Sequence, residues 1–171
     1  EDPQREGLIE TPKRFLQAWE HFTSGYKADA NAMLKTFADG ASDYDQMIVQ
    51  GNIPLFSNCE HHMLPFFGQA YIGYIPSGKI VGLSKLVRLT DVFARRLQVQ
   101  ERLTTQIARA LDQALAPRGV GVVLKCRHLC LEARGVQRAG TVTTTSALLG
   151  EFRDDPVRSE FLAFVREGVK S

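Results

Sequence analysis

Cys59-Glu60-His61-His62 and Cys126-Arg127-His128-Leu129-Cys130 hold all three cysteines and three of the four histidines of a 171-residue chain. Cys59 and His62 lie three residues apart, a spacing at which a turn lets a thiolate and an imidazole reach one ion. Cys130 is the best third donor, because a strand through this stretch puts Cys126, His128 and Cys130 on one face. Thiolate and imidazole together select zinc or another soft divalent ion. Two forms of site remain open. A closed structural centre would take Cys59, His62, Cys126 and Cys130, whereas a catalytic centre would take three ligands and leave a position for water. His61 and His128 favour the catalytic form, since a histidine beside a metal but not on it suits proton transfer near neutral pH. The competing reading gives both histidines only hydrogen bonds to the ligands.

Charged groups stand nearby. Ser84-Lys85-Leu86-Val87-Arg88 opens a helix, where free N–H groups, a hydroxyl and two cations on one face would hold an anion. The alternative is a solvated basic face. Glu101, within Gln98-Val99-Gln100-Glu101-Arg102, reads either as an ordinary first-turn acid or as an acceptor for two parallel donors, the pattern of guanine's Watson–Crick edge. Pro76-Ser77-Gly78-Lys79 echoes the end of a P-loop but lacks its first glycine, and reads as a hairpin turn.

These groups need elements to carry them. Thr11 as cap and Pro12 in the first turn open a helix whose stripe is Phe15, Leu16, Trp19 and Phe22, ending at Gly25. A weaker helix is expected over Ala30 to Phe37, and a strand over Met47 to Ile53. Phe66 to Ile75 alternates as a strand, and Lys79 to Leu83 returns as its hairpin partner. Two amphipathic helices follow, one with Leu86, Leu89, Val92, Phe93 and Leu97, the other with Leu103, Ile107, Ala110, Leu111 and Leu115 before Pro117. Val120 to Leu131 and Thr141 to Thr145 read as strands, and Phe161, Leu162 and Val165 mark a last helix. The order strand-strand-helix-helix-strand-strand makes an antiparallel α+β domain over 1–171, with a helical segment over 1–45 and the core over 46–171. So small a sheet has edges to cover, which favours an oligomer.

Composition narrows the class. With 44% hydrophobic and 23% charged residues and a net charge of +2, the chain has neither the basic excess of a nucleic-acid binder nor that of a membrane-surface binder. No apolar run nears the ~18 residues of a membrane span. The first residues do not form a signal peptide, and an odd cysteine count disfavours a secreted disulfide scaffold. A cytoplasmic location is expected.

Several segments together resemble GTP cyclohydrolase I: Cys59-Glu60-His61-His62-Met63-Leu64-Pro65-Phe66-Phe67-Gly68, Gly82-Leu83-Ser84-Lys85, and Arg95 to Thr104. His128-Leu129-Cys130, Arg134-Gly135-Val136, Gly150-Glu151-Phe152-Arg153 and the opening Glu1 to Leu8 with Thr11-Pro12-Lys13-Arg14 match as well. The resemblance implies the tunnelling fold, in a homodecamer of two stacked pentamers with active sites between subunits. It implies conversion of GTP and water to 7,8-dihydroneopterin triphosphate and formate, the first step of folate and pterin biosynthesis. Carried over residue by residue, Cys59, His62 and Cys130 match the zinc ligands, and His61 and His128 the proton-handling histidines. Glu101 matches the carboxylate on the guanine edge, with Gln100 beside it. Arg14, Lys85, Arg88 and Arg134 match the cations around the triphosphate, with Ser84 near the ribose and phosphates. Glu132 and Ala133 depart from apolar Met-like positions, Thr141 replaces a usual Ser, and Cys126 falls outside the ligand set. The family usually carries a helical segment before Glu1-Asp2-Pro3, so a longer parent chain is expected.

Overall fold

In chain order the elements are α1 (Glu6–Ile9), α2 (Thr11–Phe22), α3 (Ala30–Met33), β1 (Thr36–Phe37), β2 (Ile48–Cys59), β3 (Pro65–Ile75) and β4 (Ile80–Val81), then α4 (Leu83–Ala94), β5 (Leu97–Gln98), α5 (Gln100–Leu115), β6 (Gly119–His128), α6 (Leu129–Glu132), β7 (Val142–Gly150) and α7 (Asp155–Glu167). This computed structural model describes residues 1–168, so the last three residues of the expected 1–171 domain lie outside the described residues. The main sheet has the order β5-β2-β3-β6-β7. Its long neighbours all pair antiparallel, and only the short β5 runs parallel to β2. The expected order strand-strand-helix-helix-strand-strand is present as β2, β3, α4, α5, β6 and β7.

Alternation divides the sheet's side chains between two cores. Ala70, Ile72 and Tyr74 of β3 join Val120, Val122, Leu124 and Cys126 of β6 in a core with Leu86 and Leu89 of α4 and Leu103, Ile107 and Leu111 of α5. The intervening Tyr71, Ile75 and Val123 meet Phe152, Phe161 and Val165 across the opposite face. In α5 the apolar residues recur every three or four positions, so burying one stripe lays the helix along the sheet. It stops at Ala116, left-handed at φ 46°, just before Pro117.

Several expected boundaries move. β2 continues past Ile53 to Cys59 although Pro54 stands within it. Over most of its length β2 has β3 on one side only, so a residue without an N–H costs no ladder bond on the other. The stretch after Gly78 pairs not with β3 but with β1, because both sides of β3 are taken by β2 and β6. Only Ala30–Met33 of the weak second helix forms, Leu97 leaves its helix for β5, and the strand at Val142 runs on to Gly150. Thr11 is the first helical residue rather than the cap, a place Glu10 takes. The stripe of α2 stays uncovered within one chain, Phe15 being 56% and Leu16 64% exposed. The helix stops at Phe22, before the expected Gly25, which lies in a 3-10 turn over Ser24–Lys27 and donates its N–H to Arg95 O at 2.9 Å. No helix among the described residues is long and apolar enough to cross a membrane.

Candidate active site

Cys59 is the last residue of β2, and the chain turns back at once. Met63 N–H donates to Cys59 O at 2.8 Å and Cys59 N–H to Leu64 O at 2.9 Å. Met63 takes a left-handed φ of 54° to close the turn into β3. His61 and His62 stand exposed at its apex with ring planes 83° apart, and of the two only His62 brings a nitrogen to the donor group. His62 joins Cys59, and Cys130 arrives from α6. One donor atom from each of the three lies within 4.8 Å of the others, the one such group among the described residues.

The chemistry of this donor set suits a soft divalent ion. Burial and the neighbouring Cys59 sulfur push the Cys130 thiol above its ordinary range, with Arg134 opposing. Two adjacent thiols resist ionising together unless a cation lies between them. Donors held ~2.0–2.3 Å from one tetrahedral ion lie about 3.3–3.8 Å apart, inside the 4.8 Å that bounds these three. Cys59, His62 and Cys130 therefore fit zinc.

Cys126 does not belong to the group. β6 ends at His128, and α6 carries Cys130 off the strand, so the three residues do not share a strand face as expected. Cys126 lies beneath α5 in the core, where burial pushes its thiol up to about 12. The donors that meet among the described residues are therefore three, and Cys126 is not one of them.

His128 emerges at the end of β6, its ring stacked 4.7 Å from Phe66 at 8°. Burial lowers its pKa, partly countered by Glu101. Its Nε2 lies 2.8 Å from Gln100 Oε1. The other end of that amide donates to Leu124 O, Thr143 O and Thr145 Oγ1 at 3.2, 3.0 and 3.0 Å. Both N–H bonds of Gln100 are thus spent inside the protein, while the residue, expected beside Glu101, also lines a cleft with it. Glu101, the next residue, is exposed in the first turn of α5. Cys59, His61, Val99, Glu101, His128 and Cys130 all line a cleft of about 230 Å³.

Two ion pairs hold the walls of this cleft. Glu60 is bound by Arg102, whose hydrogen bond holds that carboxyl below its usual range. Arg102 also donates to Gln98 Oε1 at 3.1 Å, while Glu60 N–H donates to Gln98 O at 3.0 Å. The start of α5 therefore grips the turn that carries Cys59 and His62. Across the site Arg127 donates to Glu132 at 2.8 and 2.5 Å, clamping α6 to the end of β6. Neither pair was expected, although opposite charges inside neighbouring motifs were the visible signal. The Glu at 132, a departure from Met-like residues, has its explanation here.

Residues 1–166 match the sequence profile of a single family described as GTP cyclohydrolase I. The chain belongs to the GTP cyclohydrolase I family. It is 58% identical over 164 residues to the GTP cyclohydrolase 1 of Nitrosospira multiformis, covering 95% of this chain and 86% of that one. The enzyme of that name from Janthinobacterium sp. is 57% identical over 168 residues, with 98% and 85% covered. That of Leptospira biflexa is 52% identical over 171 residues, with 98% and 92% covered. The chain is a hydrolase of the GTP cyclohydrolase I family, which takes GTP to dihydroneopterin triphosphate, and its sheet and helices have the order of the tunnelling fold.

The residues matched to the triphosphate are scattered in one chain. Arg14 pairs with Glu10 at 2.5 Å on α2. Ser84 and Arg88 are exposed and Lys85 half-buried in the first two turns of α4, whose N-terminus has no side-chain cap. None of these four lines the cleft. Arg134 alone reaches the donor group, giving a hydrogen bond to His62 Nε2 at 3.1 Å.

Proposed function

We propose that this member of the GTP cyclohydrolase I family is zinc-dependent, with Cys59, His62 and Cys130 as ligands, and releases formate from C8 of GTP. The observation that carries the reading is the meeting of those three donors within 4.8 Å beside a cleft lined by His61, His128 and Glu101. Zinc bound there supplies the Lewis acidity that makes water a nucleophile near neutral pH. His61 and His128 lie outside the donor group yet line the same cleft, which suits them to move protons at the imidazole ring of the purine. Glu101 holds the guanine edge, its carboxylate accepting from two parallel N–H groups, with Gln100 beside it. Arg14, Lys85, Arg88 and Arg134 hold the triphosphate, with Ser84 at the ribose and phosphates.

The complete site forms between subunits of a cytoplasmic homodecamer of two stacked pentamers. Three features support this. The cleft of about 230 Å³ falls below the ~300–1,000 Å³ that encloses an ordinary ligand. Arg14, Ser84, Lys85 and Arg88 stand away from it within one chain, so another copy must bring them. The nine-residue β7 is a sheet edge, and such edges pair or are covered.

The test strips the enzyme with a chelator, restores zinc, and follows formate and the fluorescent oxidised pterin made from GTP. Turnover should vanish on stripping and return with zinc. His61→Ala and His128→Ala should keep their metal and lose about 10²–10⁴ in kcat. Full activity in either variant would sink the proton-transfer assignment, and full activity of the stripped enzyme the metal assignment.

A further inference from the structure

We propose that Gln100, at the head of a hydrogen-bond relay through Thr145 and Thr104, holds His128 as the tautomer protonated on Nε2, the carbonyls of Leu124 and Thr143 fixing the direction of its amide. Gln100 is then a positioning residue that acts through His128. This rests on the reading that His128 carries protons in the cleft.

The direction of every bond follows from groups that can only accept. The contact between His128 Nε2 and Gln100 Oε1, 2.8 Å, permits two assignments taken alone, because a flipped amide would present its NH₂ to the ring. The far end of the amide decides between them. It lies 3.0 Å from Thr143 O and 3.2 Å from Leu124 O, both backbone carbonyls. Those oxygens have no hydrogen to give, so the atom between them is nitrogen. The atom facing the ring is therefore oxygen, and the hydrogen between it and His128 belongs to Nε2.

The hydroxyls close the relay. Thr104 Oγ1 lies 2.7 Å from the backbone O of Gln100, another pure acceptor, and gives its only hydrogen there. It must then accept from Thr145 Oγ1, also at 2.7 Å. Thr145, its hydrogen spent, can only accept, and at 3.0 Å it shares the two hydrogens of Gln100 Nε2 with the carbonyls of Thr143 and Leu124. Gln100 is only 2% exposed, Thr104 is buried as fully, and Thr145 between them is half-buried. Stacking on Phe66 sets the plane of the imidazole.

The elements make this local. Gln100 and Thr104 lie one helical turn apart at the start of α5, and Thr143 and Thr145 share a face of β7. β7 pairs with β6, with Thr143 opposite Cys126 and Thr145 opposite Leu124, one face below His128. Nδ1 is accordingly the ring nitrogen left without a hydrogen in the neutral imidazole.

The test uses the assembled, zinc-loaded enzyme labelled with ¹⁵N in its histidine rings. Only four histidines are present, and single replacements of the others assign the His128 signals. Neutral wild-type His128 should show a protonated Nε2 and an unprotonated Nδ1. In Gln100→Met, which keeps the length and loses the hydrogen bonds, the two tautomers should mix. Its kcat should fall about 10–100-fold, the usual loss when an orienting partner is removed, with KM for GTP near wild type. Thr145→Val leaves both carbonyls to orient the amide and should keep the tautomer. A wild-type spectrum with Nδ1 protonated overturns the relay even if Gln100→Met fails to fold. A Gln100→Met enzyme with raised KM and unchanged kcat overturns it too, making Gln100 a contact to the base. Full activity of His128→Ala would instead remove the catalytic reading while leaving the tautomer assignment to its own spectrum.

Discussion

Replacing Cys126 separates a three-ligand centre from a four-ligand one. The residue is 1% exposed, packed beneath α5, and burial is the sole influence on its thiol. Cys126→Ser puts a hydroxyl where the surroundings are apolar, at a cost of about 1–3 kcal/mol. At ~2–4 °C per kcal/mol for a chain of this size, the melting temperature should fall by about 2–12 °C. Cys126→Ala loses only the contacts of one sulfur, about 1 kcal/mol. Melting of both variants is compared at matched protein concentration, because assembly contributes to stability. Metal content per chain and turnover of GTP are measured on the same samples. Both variants should keep the wild-type metal content and turn over GTP at the wild-type rate. Thiol reagents supply a second readout: in chelator-stripped native protein Cys126 should stay unreactive until the chain unfolds. A folded Cys126→Ala protein that has lost its metal refutes the reasoning. A serine variant as stable as the alanine one refutes the account of its surroundings.

Two further outcomes follow from packing and charge. A Cβ at Gly25 would lie 2.1 Å from Val92 O, so Gly25→Ala must push the N-terminal segment off α4. It should lower stability by more than ~1 kcal/mol and speed proteolysis ahead of residue 25, and an unchanged melt refutes this. Arg127 holds the Glu132 carboxyl below its ordinary 4.5. A carboxyl depressed on folding stabilises above the unfolded pKa and stops doing so as pH falls to the folded one. Wild type and Arg127→Met should therefore differ near neutral pH and converge below the carboxylate range, whereas a constant difference would locate the effect in packing.

The first turn of α5 organises the site from one place. Glu101 lines the cleft, Gln100 bonds His128 on β6, and Arg102 grips Glu60 in the turn after β2. Three consecutive side chains leave a helix about 100° apart, so each meets a different wall. A shift of this helix end would disturb the metal turn, the histidine and the base-binding carboxylate together.

Residue types and local spacing were enough to expect much of this. Cys59 and His62 sit three apart across a turn, β3 alternates, and α4 and α5 carry apolar stripes at helical spacing. Those patterns depend only on neighbours along the chain, so they survive in the sequence. Whether Cys126 joins Cys130 as a fourth ligand did not, since that depends on β6 ending at His128 and on α5 covering the residue two steps before it. Nor did the inward turn of Gln100, which depends on β7 bringing two threonines and a carbonyl to the start of α5. The strand expected over Met47 to Ile53 runs on through Pro54 to Cys59, since over most of its length β2 has a partner on one side only. In each case the deciding contact joins segments far apart in the chain, and only the packed sheet and helices bring its two sides together.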